Sequence, residues 1–266
     1  MHHFFVPPEL VSGELPYTIF LPKDLTHQVR DVLRLSIGEQ LLLLDNTGDE
    51  VLATVTESNR SGVYVRLLER RKGQSESSVR IILCQGLLKS ARFEWILEKG
   101  TELGVSIFAP ILCRRSMAGL EDAGPAKIQR WQRILQEAAE QCGRSRLPQL
   151  LPIRSLMYAL NDIPPGALTL MPWEEERNLT LREALTAALE TLQTQTTRSP
   201  VLRSPELPPT SITVVLFIGP EGGLMAEEVT LAQRYGVQAV SLGPRILRAE
   251  TAALTTVANV MYELED

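Results

Sequence analysis

The sequence predicts a mixed α/β protein in two parts, and three observations carry the prediction. Its first seventy residues hold short β-prone runs, broken by turn signals, around one helical segment. From residue 79 onward, nearly continuous apolar runs alternate with stretches of helical periodicity. Two glycine-bearing turns in the last fifty residues, LFIGPEGG (216–223) and SLGPRILRAETA (241–252), each follow such a run. A chain of 266 residues has enough sequence to bury a core in each of two domains.

The early β-prone runs are YTIFL (17–21), EQLLLLD (39–45), EVLATVTES (50–58) and GVYVRLLE (62–69). Their β-branched and large apolar side chains suit a half-buried pleated surface. NTGD (46–49) and SNRSG (58–62) read as hairpin turns, because Asn and Gly tolerate the positive φ of tight turns. The helical segment is HQVRDVLRL (27–35), which carries Arg30 and Arg34. Short strands around a single helix suggest a small barrel. RRKGQSESS (70–78) has the composition of a linker.

VRIILC (79–84) is almost wholly apolar, as expected for a parallel strand covered on both faces. Phe93, Ile96, Leu97 and Gly100 follow at helical spacing, and Gly104 supplies a stop. After a second strand, SIFAPILC (106–113), Pro125 suits a first helical position. Ile128, Trp131, Leu135, Ala138 and Cys142 then mark one helical face before Gly143. Further strands are ALTLM (167–171), ITVVLFI (212–218) and AVSLG (239–243), with helices near 179–191, 225–235 and 250–264. This alternation predicts a mostly parallel sheet. Residues 193–211 are Pro/Ser/Thr-rich without periodicity and predict a mobile surface excursion.

Hydrophobic content of 44% and charged content of 22% are ordinary for a soluble globular protein. No apolar run approaches the length of a membrane span, and the first residues do not read as a secretory signal. Cys84, Cys113 and Cys142 are odd in number and widely spaced. That argues against a disulfide framework or a zinc cluster and fits a reducing cytoplasm. Net charge is −5, but its parts differ: residues 79–154 hold 12 basic and 7 acidic side chains, and residues 155–266 hold 7 and 14. Phosphate binding depends on local fields, so a basic middle region is compatible with RNA. It is equally compatible with a solvated basic surface.

A strand ending in glycine and proline must turn and present bare amides at the sheet's rim. Ligands of open parallel sheets bind beyond the carboxyl ends of the strands, where Gly219, Gly222, Gly223 and Gly243 all fall. Glycine permits close approach to the main chain, although the same residues also serve simply to make tight turns. The second turn adds Arg245, Arg248 and Glu250, charges that a substrate could meet. Neither GxGxxG after a strand nor GxxxxGK[ST] nor GxSxG is present. Histidine occurs only at positions 2, 3 and 27, so a general base in the α/β part is another residue type unless the N-terminal part reaches across.

FIGPEGGL with the later SLGPRILRAETA resembles the paired cofactor motifs of the RsmE family, 16S ribosomal RNA uridine-N3 methyltransferases of the SPOUT superfamily. HQVRDVLRL and GEQLLLLDNTGDE resemble that family's N-terminal PUA-like barrel; LLKSARFEWILEKGTELGV and EQCGRSRLPQL resemble its central motifs. The resemblance covers nearly the whole chain, with the polar insertion at 193–211 as a departure. It implies a PUA-like RNA-binding β-barrel over 1–72 and a SPOUT methyltransferase domain over 73–266 with a trefoil knot near its C-terminal end. S-adenosyl-L-methionine is the implied cofactor, 16S RNA of the small ribosomal subunit the implied partner, and a cytoplasmic homodimer without membrane contact the implied state. A non-catalytic RNA-binding assembly factor, or a SPOUT enzyme acting on transfer RNA, are the alternatives.

Carried over position by position, the resemblance implies cofactor contacts from Ile218, Gly219, Pro220, Glu221, Gly222 and Gly223 in the first turn. Leu242, Gly243, Arg245, Ile246 and Leu247 do the same in the second. Leu170 and Pro172, at the end of an earlier strand, and Thr251 and Ala252 complete the set. Arg248 is the candidate for stabilising a developing uracil anion, since its guanidinium stays charged. Glu221 or Glu250 is a candidate base, each with the alternative of capping loop amides. Expected RNA contacts are Arg30, Arg34, Lys89, Arg92, Arg144 and Arg146, with a solvated helix start as the other reading of Lys89 and Arg92. Finally, Leu254, Val257, Val260, Met261 and Leu264, with Ala253 and Ala258, form an apolar stripe that is either plain core or a dimer face.

Overall fold

The computed structural model describes residues 1–116, 124–196 and 212–265, without the side chains of residues 90 and 192–196. The chain divides into two compact units, Met1–Glu76 with Gln136–Leu147, and Ser77–Leu135 with Pro148–Asp266.

The first unit holds a five-stranded sheet. Its strands are β1 (His2–Phe5), β2 (Tyr17–Phe20), β3 (Gln40–Leu44), β4 (Asp49–Asn59) and β5 (Gly62–Lys72), in the order β1-β3-β4-β5-β2. Along β4 the inward positions Val51, Ala53 and Val55 are buried, and Val63, Val65 and Leu67 answer them from β5. Both hairpin turns form where the sequence predicts them. Asn46 (φ 64°) and Gly48 (φ 96°) bend the first; in the second, the Asn59 carboxamide oxygen accepts from the amides of Ser61 and Gly62. The linker composition misleads at its start, because Arg70, Arg71 and Lys72 are the last residues of β5 and pair with Asp45, Glu50 and Asp49.

The helix of this unit lies earlier than its periodicity suggests. Helix α1 (Lys23–His27) passes into a π turn over Gln28–Val32. Arg34 has φ 55°, a left-handed conformation in which no right-handed helix continues. The missed strand β1 is four residues long and runs parallel to β3.

The second unit is built on a seven-stranded sheet, and every pairing among its described residues is parallel. Its strands are β6 (Val79–Gly86), β7 (Val105–Leu112), β8 (Gln149–Leu150), β9 (Arg154–Ser155), β10 (Leu168–Pro172), β11 (Ile212–Ile218) and β12 (Gln238–Val240). Spatial order is β12-β10-β11-β6-β7-β8, with β9 also on β7. Its helices are α2 (Ser90–Glu102), α3 (Pro125–Cys142), whose last turns belong to the first unit, α4 (Leu156–Asn161), α5 (Leu181–Thr196), α6 (Ala226–Arg234) and α7 (Ala249–Leu264).

Both faces of this sheet are covered, which explains why its strands read as unbroken apolar runs. Side chains alternate across a strand. Val214, Leu216 and Ile218 join a cluster with residues of α2, α3, α5 and α7. Val215 and Phe217 join the opposite cluster with residues of α4 and α6. Most of the apolar stripe of α7 is spent inside this unit: Ala253, Val257, Val260, Met261 and Leu264 are buried, whereas Leu254 and Ala258 are only partly so. Helix α5 runs to Thr196, four residues into the polar stretch; positions 197–211 lie outside the described residues.

Candidate active site

Because β10 is flanked by β12 and β11, three parallel strands end side by side, and the loops that follow them share one space. A cavity of about 350 Å³ occupies it, within the size range of small-molecule sites. From the end of β11 and the loop after it come Ile218, Gly219, Pro220, Glu221, Gly222 and Gly223; from the loop after β12, Leu242, Gly243, Arg245, Ile246, Leu247 and Arg248. Pro172 closes β10, and Ala252 contributes from α7. The two glycine turns of the sequence therefore wall a single cavity.

Two expected positions do not line it. Leu170 is fully buried, two residues before the end of its strand, and it packs in the cluster of Val214 and Leu216. Thr251 is exposed on α7 and outside the lining. Conversely, Trp173, Glu174, Arg177, Leu224, Pro244 and Ala249 line the cavity without having been singled out. The signal for the first three was the polar run WEEER directly after the ALTLM strand, readable only once β10 is known to stand between β11 and β12.

Close packing fixes the first turn. A Cβ on Gly86, at the end of β6, would sit 2.5 Å from the Pro220 nitrogen, so only glycine lets the strand end meet the GPEGG turn. Gln85, buried beside it, donates through Nε2 to the Gly86 carbonyl and, at 3.4 Å, to that of Gly219. Arg115 donates through Nη1 to the Gly222 carbonyl at 3.1 Å.

The charged residues sort into two groups. Arg92, in the first turn of α2, reaches both motif turns: Nη1 lies 3.1 Å from Glu221 Oε1, and Nε lies 3.7 Å from Glu250 Oε1. Glu221 lines the cavity; Glu250 does not, and its Oε2 is buried without a hydrogen-bond partner among the described residues. Arg177 is held by the carbonyls of Glu174 and Glu176. Arg245 and Arg248, by contrast, are exposed, and their side chains form no ion pair or hydrogen bond among the described residues. Arg248 stands at the N-cap of α7.

The other expected RNA-binding residues also separate. Arg144 is buried against Glu76, with Nη2 2.9 Å from Oε2, so it braces the first unit and does not meet solvent. Arg30 is tied to Asp31 and to the Asn59 carbonyl. Arg34, Lys89 and Arg146 remain exposed. Thiol chemistry is absent from the cavity wall: Cys84 and Cys113 are buried, and loss of solvation pushes both up to about 12. No group of residues able to hold a metal ion occurs among the described residues, and no helix among them is long and apolar enough to cross a membrane.

With this geometry in place, the chain can be set beside known proteins. The profile of the RNA methyltransferase domain matches residues 75–261, and that of the RNA methyltransferase PUA domain matches residues 29–68. Ribosomal RNA small subunit methyltransferase E of Synechocystis is 31% identical over 99% of this chain and 78% of its own length. The Bacillus subtilis protein of the same name is 28% identical over 100% and 98%. The crystal structure of ribosomal RNA small subunit methyltransferase E from Neisseria gonorrhoeae, bound to S-adenosyl methionine, superposes with a TM-score of 0.82 at 28% identity, covering 100% of this chain and 99% of that one. The chain thus belongs to the RNA methyltransferase family that includes ribosomal RNA small subunit methyltransferase E.

Proposed function

We propose that this protein transfers a methyl group from S-adenosyl-L-methionine to N3 of a single uridine in 16S RNA of the small ribosomal subunit. The observation that carries the reading is the convergence of both glycine turns on one cavity, with an unpaired Arg248 at its edge. The names of its relatives support the class of RNA.

The lining fits the cofactor. Gly243 has φ 107°, and a Cβ built there meets nothing within 4 Å, so main chain borders open space that a side chain would otherwise enter. Ile218, Leu242, Leu247 and Ala252 offer apolar surface for a flat base. Loop amides and carbonyls around Gly219 to Gly223 supply hydrogen bonds. Bound there, the cofactor supplies a methyl group already activated by its sulfonium.

The protein's own residues then have three tasks. N3 of uracil becomes a nucleophile as its imide proton leaves, and negative charge spreads to the flanking oxygens. Arg248 donates to one of those oxygens as the charge develops. Glu221, which lines the cavity in the first glycine turn, accepts or relays the proton, with one oxygen held by Arg92. Packed turns around the cavity align the donor and acceptor. N3 lies on the pairing edge of the base, so the uridine enters unpaired.

In the same reading, 1–72 is the RNA-binding domain, 73–266 the methyltransferase domain, and the insertion of β11 between β6 and β10 supports a knotted path. The protein acts in the cytoplasm as a homodimer, for which exposed Tyr262 on α7 is available; sedimentation as a 29.6 kDa species would remove the second copy. Mapping modified nucleotides in small-subunit RNA from cells with and without the protein tests the reaction. Loss of one N3-methyluridine, restored by the wild-type gene, is expected; an unchanged map refutes it.

A further inference from the structure

We propose that Arg92 is a positioning residue that locks the two cavity turns to each other, and is not a contact for RNA. The inference rests on the methyltransferase reading only in its turnover arm. Sequence alone offered two readings of this arginine, a phosphate contact or a solvated helix start; in the structure it borders the cavity, partly exposed, with its guanidinium turned to two carboxylates. Its guanidinium spans Glu221, in the turn after β11, and Glu250, in the first turn of α7 directly after the second glycine turn. Each turn therefore has a carboxylate on the same cation, and the cation stands on a third element, α2, whose Phe93, Ile96 and Leu97 are anchored in the core.

The arrangement has a physical logic. Glu221 and Glu250 are both mostly buried, at 20% and 17% side-chain exposure, and two carboxylates sharing one guanidinium would repel each other without it. A planar guanidinium presents several donors in a fixed fork: it donates a hydrogen bond to Glu221 and stands within ion-pair range of Glu250. Glu250 has no other charged partner among the described residues and does not line the cavity. Its service is to fasten the start of α7, and with it Arg248 at the helix N-cap. Glu221 keeps one oxygen for the cavity while the other is held. Arg92 thus acts on the reaction through the residues it holds.

Arg92→Gln and Arg92→Lys test this in the full-length protein. The Gly223 amide donates to the Pro220 carbonyl in one turn, and the Ala252 amide donates to the Arg248 carbonyl in the other. Both therefore report local opening by hydrogen exchange without any ligand. In Arg92→Gln both should exchange faster together, by about ten-fold, while core amides of β4 and β5 keep their rates. Lysine, a single point charge, should restore one turn and leave the other loose. With turnover, kcat should fall and the cofactor KM rise in Arg92→Gln, and the salt dependence of RNA binding should keep its slope. Response of only one turn, or of neither, overturns the lock. A slope reduced by about 0.7, the share of one phosphate contact on a single strand, with both turns unchanged, returns Arg92 to the RNA. Wild-type inactivity would refute the proposed reaction while leaving the exchange comparison to decide the lock.

Discussion

At the residue scale, the site divides into side chains that hold and side chains that wait. Arg92, Arg144 and Arg177 are engaged by acidic groups or carbonyls, whereas Arg245 and Arg248 meet no partner among the described residues. An exposed, unpaired arginine at a cavity edge contributes little to folding, which leaves it free for chemistry. Arg248→Ala should lower kcat by about 10²–10³, the usual effect of removing one donor to a developing oxyanion, with cofactor affinity unchanged by calorimetry. Full turnover in that variant would discard its assigned role. Motif residues were legible at this scale because glycine and proline reveal backbone turns directly. Leu170 was misplaced because a strand residue two positions from the rim belongs to the core, and Arg144 because a charge count does not reveal that Glu76 lies beside it.

At the element scale, strands and helices of the second unit follow the pattern of apolar residues closely, since both faces of a parallel sheet demand it. What the pattern could not carry was strand order. Pairing of Val79 with Ile212 is invisible to local periodicity, and with it the neighbours of β10 that make Trp173, Glu174 and Arg177 part of the site. In the first unit, the turn after β3 depends on a charge. Asp45 is buried, accepts from the hydroxyl and amide of Thr47, and lies 2.6 Å from Arg70 Nη1. Burial alone would raise this carboxyl, but the Thr47 hydroxyl and Arg70 outweigh burial and hold it below the ordinary carboxylate range. A depressed folded value means stability present above the unfolded pKa and lost as pH falls through the folded one. Asp45→Asn should therefore cost about 1–3 kcal/mol at neutral pH, toward the lower end because Arg70 is partly exposed. The gap to wild type should narrow progressively as pH falls below the ordinary aspartate range, as read by denaturant unfolding at neutral and at acid pH.

At the scale of the whole molecule, charge is the relevant property. The chain is net negative at −5, yet Arg34 and Arg146 of the first unit are exposed, and the unit contains the stretch matched by the RNA methyltransferase PUA domain. Reversing both, Arg34→Glu with Arg146→Glu, should weaken RNA binding and flatten the plot of log affinity against log salt by at least about 0.7 per lost phosphate contact. Cofactor binding should be untouched. An unchanged slope would move the RNA contact elsewhere. The regional charge split was legible in the sequence; which of its arginines stand exposed was not.

The insertion of β11 between β6 and β10 also has a consequence for the protein's own synthesis. Strand β6 must keep one edge vacant until the segment that fills it emerges. The intervening stretch of roughly 130 residues takes about 7–26 s to translate at 5–20 residues per second. During that interval an apolar strand with unpaired amides is exposed on a nascent chain, the template for unwanted strand addition. The cavity cannot exist before the slot is filled, because its first turn begins where β11 ends. Every molecule of this protein therefore passes through a state with an open sheet and no site.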